Sequence, residues 1–150
     1  MITIFLLAIA GAIIAGVLGT FWYSPKTPMG KIHMKCVGFD KLSAEEQKKK
    51  MEEAKPTMWK KYLGQMILSF LTAFSVVFIV TLSVKNGLPL SMALIFVVAN
   101  WLCFMVPIIG SGMLWSTNCD GKVAWQQFFS DIFLNLVTIL LIAVLTSFFV

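Results

Sequence analysis

Four long apolar runs, none interrupted by lysine or arginine, constrain this chain more than anything else in it. They are Ile2 to Tyr23, about Tyr62 to Val84, about Pro89 to Trp115, and about Val123 to Val150. At ~1.5 Å of rise per residue each is long enough to cross a hydrocarbon core of ~30 Å. A helix is the form such a run takes in lipid, because it satisfies its backbone polar groups internally. The reading is therefore an all-α integral membrane protein. It is a single membrane domain, residues 1–150, built as a four-helix bundle. Composition agrees, since only 13% of the residues are charged against 59% hydrophobic. A soluble fold of this size would leave too much of that apolar surface in water. The first run lacks a positive leading segment and ends on the aromatic pair Trp22-Tyr23, so it reads as a retained span and not as a signal peptide.

The charges set an orientation. All 12 basic residues are lysines, and all except Lys85 and Lys122 lie in the first connection, Ser24 to Lys61, beside Asp40, Glu45, Glu46, Glu52 and Glu53. Short lysine-rich loops stay on the cytoplasmic side. The expected topology has the first and third connections cytoplasmic and both termini outside. Membrane lipid is the expected partner of the lysines. Nucleic acid is not expected, because arginine, the residue suited to bidentate phosphate recognition, is absent. Within this loop Ser43-Ala44-Glu45-Glu46 reads as a capping box. It predicts a short cytoplasmic helix from there to about Ala54, stopped by Pro56.

Small and polar residues predict how the spans pack. Ala8, Ala12 and Gly16 recur every fourth residue, as do Gly11, Ala15 and Gly19. They make a smooth face for close approach of another helix, or for a homodimer. Polar residues also recur on one side of the other spans: Gln65, Ser69 and Thr72; Asn100, Pro107 and Ser111; and Gln127, Asp131, Asn135 and Thr138. These stripes are expected to face one another, since an unsatisfied polar group in hydrocarbon costs several kcal/mol.

Asp131 is the acid placed within a span, ~10 Å from its inner end. An ionisable group there is a functional hypothesis by default. The candidate polar site is Asp131 with Gln127, Asn135, Ser111 and Asn100, Ser111 being the expected hydrogen-bond donor. Asp131 either takes up and releases a proton as a substrate binds, or clasps the helices in register. A candidate aromatic rim of Trp22, Tyr23, Trp115 and Trp125 would lie at the cytoplasmic face above it. The structural alternative makes Trp22 and Tyr23 headgroup anchors.

Other chemistry has little support. His33 is the single histidine and reads as a surface residue; no metal site follows from it. Cys36, Cys103 and Cys119 fit no zinc or thioredoxin spacing and read as reduced thiols. No nucleotide-binding or hydrolase motif occurs, so no cofactor and no catalytic residue is expected.

Trp22-Tyr23-Ser24-Pro25, followed by Gly30-Lys31 and Gly38, resembles a bacterial four-helix membrane family catalogued as domain of unknown function 1761. The Leu114-Trp115 end of the third span and Phe128 to Asp131 are also similar. His33 stands where that family usually has tryptophan, and one extra residue lies between Pro25 and Gly30. The resemblance implies a four-helix membrane fold in a bacterial inner membrane and brings no activity with it. Three functions are compatible with the chain: a small transporter with a polar site at Asp131, a structural or accessory protein that binds a partner helix, and a lipid-interacting protein.

Overall fold

The structure is a computed structural model that describes residues 2–114 and 120–150. It is all-helical. α1 spans Ile2–Trp22, α2 spans Pro28–Cys36, and a 3₁₀ turn at Phe39–Lys41 leads to α3, Ala44–Lys85. α4, Leu90–Asn100, continues through a π-helical turn, Trp101–Met105, into α5, Val106–Leu114; α6, Gly121–Ser147, closes the chain. Among the described residues four segments have the length and apolarity to cross a membrane: Ile2–Trp22, the apolar part of Ala44–Lys85, Leu90–Met113 and Gly121–Ser147. The protein is an integral membrane protein.

The second of these segments differs from expectation. The capping box at Ser43 is present, with the Ser43 N–H donating to Glu46 Oε2 at 2.8 Å and the Glu46 N–H donating to Ser43 Oγ at 3.3 Å. The helix it starts does not stop at Pro56. It runs on for 42 residues, ~63 Å, as one rod. Proline removes one backbone bond and crowds the carbonyl four residues back. Glu52, Glu53 and Lys55 are exposed here, so those carbonyls have room to tilt, and the Thr57 hydroxyl donates to Ala54 O at 3.0 Å. The charged half of α3 is thus a continuation of the apolar half, and the expected separate helix is absent. The short helix that does form in this connection is α2.

α1 packs most extensively on α3, and α6 packs on α1, α3 and α4. The core at their centre comprises Leu7, Ala73, Val77, Val80, Ala93, Val97, Ile139, Ile142 and Ala143. The small face of α1 is used inside the chain at Ala8, Gly11 and Ala12, all buried. A Cβ on Gly11 would lie 2.8 Å from Ala73 Cβ and 3.2 Å from Ile142 Cδ1, so glycine sets how closely α1 approaches α3. Ala15, Gly16 and Gly19 are partly buried.

The polar stripes meet in part, since Thr72 of α3 and Asn100 of α4 line one groove, but their hydrogen bonds are made elsewhere. Gln65 donates to Ser69 on its own helix, Thr72 donates to Leu68 O, and Thr138 donates to Leu134 O. Helices satisfy short polar side chains this way without help from neighbours. Cys36 is disulfide-bonded, so the expectation of reduced thiols does not hold for it. Cys103 is a free, exposed thiol. Cys119 lies outside the described residues.

Candidate functional site

The site forms where α1 ends. Its last turn closes through Tyr23 N–H to Gly19 O and Ser24 N–H to Phe21 O, and Pro25 has no N–H with which to continue. The chain then reverses into α2 through Thr27. The Thr27 hydroxyl sits 2.6 Å from Trp22 O, the last carbonyl of α1, and 2.8 Å from Ser24 O in the turn, and shares its one hydrogen between them. The same oxygen accepts the Gly30 N–H at 2.9 Å and so caps α2, with Pro28 in the first helical turn. One side chain therefore ties the end of one helix to the start of the next.

Gly30 completes the corner. A Cβ there would lie 1.8 Å from Ser24 O and 2.5 Å from Ser24 C, so no larger residue fits without moving backbone. The reversal folds α2 against α6 and brings the His33 ring to 5.1 Å from the Tyr23 ring. His33 is partly buried against Tyr23, not the plain surface residue its lysine-rich neighbourhood suggested.

The last residue of α1 and the one after it then meet two adjacent residues of α6. Trp22 Nε1 donates to Ser130 Oγ at 2.8 Å, and its ring stacks on Phe133 at 5.8 Å. Tyr23 Oη donates to Asp131 Oδ1 at 2.5 Å. Gln127, one turn earlier on α6, donates through Nε2 to the same Oδ1 at 2.6 Å. Ser130 is buried. The carboxylate is thus held by a phenol and an amide, and Oδ2 receives no hydrogen bond among the described residues. Gln127 Oε1 is buried and also has no partner. Chemically, the cluster holds an acid by neutral donors and leaves acceptor capacity beside it.

The other residues singled out from sequence are placed as follows. Asn135 donates to the Asp131 backbone carbonyl at 2.9 Å and not to its carboxyl group. Ser111, the expected donor, is exposed and makes no hydrogen bond among the described residues; Tyr23 stands in its place. Asn100 lines a separate groove with Trp101 and Ile139. Trp125 is half exposed and meets Phe128 and Phe129 of its own helix. Trp115 lies outside the described residues. Tyr23 therefore reaches Asp131, Trp22 reaches the neighbouring Ser130, and Trp125 does not join them. As headgroup anchors their polar atoms would face outward; instead both point into α6. Sequence reasoning missed Ser130 and Thr27. Thr27-Pro28, a capping residue before a proline, was the available signal for the latter.

These contacts give a physical meaning to the Trp-Tyr-Ser-Pro segment and the glycine after it, and residues 6–147 match the family described as protein of unknown function (DUF1761). The chain belongs to that family. The match takes in the last three apolar segments of this DUF1761 protein and the first from Leu6 onward, together with the corner and both pairs of clasped residues. No curated protein and no solved structure matches it.

Proposed function

We propose that this DUF1761 protein is a non-catalytic accessory protein of the membrane, a fixed four-helix bundle that works by associating with other membrane helices. The observation that carries this reading is the third span. Only 11% of its apolar window is buried within the chain, against 22% to 39% for the other three. Yet Asn100, Cys103 and Ser111 are exposed along it. Polar side chains that face lipid gain by meeting another helix.

The Asp131 cluster supports the same reading. Tyr23 and Gln127 hold the carboxylate in place, which suits a clasp that fixes α1 on α6. The transporter reading draws on one observation, the unpartnered acceptors Gln127 Oε1 and Asp131 Oδ2, which a donor-bearing solute would satisfy. It would need that solute to reach the cluster between α1, α2 and α6.

For orientation, the lysines favour a cytoplasmic first connection with both termini outside. The disulfide at Cys36 pulls the other way, since such bonds persist in oxidising compartments. The charge bias is the stronger argument: every lysine except Lys85 and Lys122 lies in that connection.

Photo-crosslinking in native membranes tests the proposal. A photoreactive residue at Phe104, exposed on the third span, is compared with one at Val17, equally exposed on α1. The expected result is a protein adduct from position 104 and lipid adducts alone from position 17. Lipid adducts alone at both positions would overturn the reading.

A further inference from the structure

Asn100 is the eleventh residue of a 24-residue span, ~15 Å from Leu90 and so near mid-depth. Its side chain is exposed and makes no hydrogen bond among the described residues. Next to it, the Trp101 indole Nε1 is buried and also without a partner. The helix opens into a π turn at Trp101, where the Val106 N–H reaches back to Trp101 O. Pro107 follows with no N–H, which leaves a carbonyl of that turn without its helical donor. Unmet donors and acceptors therefore gather where the bilayer is least polar, and acyl chains offer them nothing.

We propose that the third span is where two copies of this chain associate, around a two-fold axis along the membrane normal, with Asn100 of each copy paired to Asn100 of the other. This rests on the accessory reading above and names its partner. A primary amide is its own complement, because it carries both donors and an acceptor and can exchange two bonds with a second amide. A two-fold axis along the normal keeps every residue at one depth in both copies, so the second copy presents the matching group at the right level. Asn100 itself lines a groove of about 200 Å³, with Thr72 and Ser75 as its other polar members and Leu71, Val97 and Met105 among its apolar ones. It is the size of one large side chain. Phe96 and Phe104, exposed on the same span, are the side chains a second copy has to offer. The small face of α1 is a poorer candidate, since Ala8, Gly11 and Ala12 already lie against helices of their own chain.

The test is energy transfer between separately labelled full-length chains reconstituted in lipid vesicles, titrated by dilution with lipid. Wild type is expected to associate. Asn100→Leu should weaken association by about tenfold, and Asn100→Gln, which keeps the amide, should weaken it less. Circular dichroism and thermal melting check that each variant folds. An oxidant should cross-link Asn100→Cys in a Cys103→Ser background to a species of twice the chain mass. A monomeric wild type, or a dimer indifferent to Asn100→Leu, overturns the proposal. If the photo-adduct at position 104 contains another protein and not a second copy, the self-association fails and the accessory reading stands. Lipid adducts alone end both.

Discussion

Tyr23, one residue beyond the end of α1, donates its phenolic hydrogen to the carboxylate of Asp131 in α6, 108 residues away in sequence. The neighbouring pair, Trp22 and Ser130, is bonded in the same register. Two consecutive residues on each of two helices thus lock one against the other. Each bond fixes an axial position, and together they fix rotation as well. A carboxylate inside a span is expensive when bare. Here two donors converge on it, and the aromatic residues that supply one of them also close the chain's turn into α2.

Gly30 should be among the least replaceable positions in the chain. Gly30→Ala places a methyl group in contact with the Ser24 carbonyl, so α2 must detach or α1 must unwind at its end. The expected loss is about 2 kcal/mol or more, in the range of overpacked sites. Limited proteolysis within residues 24–43 should accelerate, while the helical content of the apolar segments stays unchanged.

Gly11 tests the other close approach. Gly11→Ala forces the new methyl against Ala73 Cβ and should cost about 1–3 kcal/mol, since small-to-large changes in a packed interior strain their neighbours. Gly19→Ala serves as the control, because nothing lies within 4 Å of the added atom. Thermal unfolding in detergent should separate the two.

The capping box gives a pH prediction. The Ser43 N–H, followed by the Ser43 hydroxyl, holds the Glu46 carboxyl below its ordinary range. A depressed value means that the ionised form is favoured in the folded helix. Its contribution is therefore present above the ordinary glutamate pKa and disappears as pH falls through the lowered value. Amide exchange at residues 44–47 should rise on acidification below that range. In Glu46→Gln the pH dependence should be gone, whereas Ser43→Ala, which keeps the backbone N–H that Glu46 accepts, should only reduce it.

Cys36 offers a test of orientation. The bonded state of Cys36 marks the side of the membrane, because a reducing cytoplasm opens such a bond and an oxidising compartment preserves it. With the first connection cytoplasmic, acid quenching of intact cells followed by thiol alkylation should label Cys36. Protection in the cell would place the connection in an oxidising compartment and reverse the topology.

The parts of this molecule that were legible in sequence are those governed by local rules. Hydropathy gives the four spans because lipid demands long apolar helices. Ser43 and Glu46 give a helix start because both bonds close within three residues. Asp131 stands out because an acid in an apolar run is rare. Its partner was not legible: Ser111 lies at a plausible depth, and only the packing of α1 on α6 selects Tyr23. Pro56 misled for a related reason. A proline is a strong stop where carbonyls are confined, and here they face open surroundings in an exposed stretch of α3. The π turn before Pro107 has no reliable signature beyond the proline itself.

The most direct test of the account is a double-mutant cycle across the clasp, using Tyr23→Phe, Asp131→Asn and the pair, followed by unfolding in detergent. The account predicts that each single change costs about 1.5–3 kcal/mol, as for hydrogen bonds to charged groups. The double variant should then be far less destabilised than the sum, because the second change removes a group whose partner is already gone. Additive losses, or single variants as stable as the wild type, would contradict it.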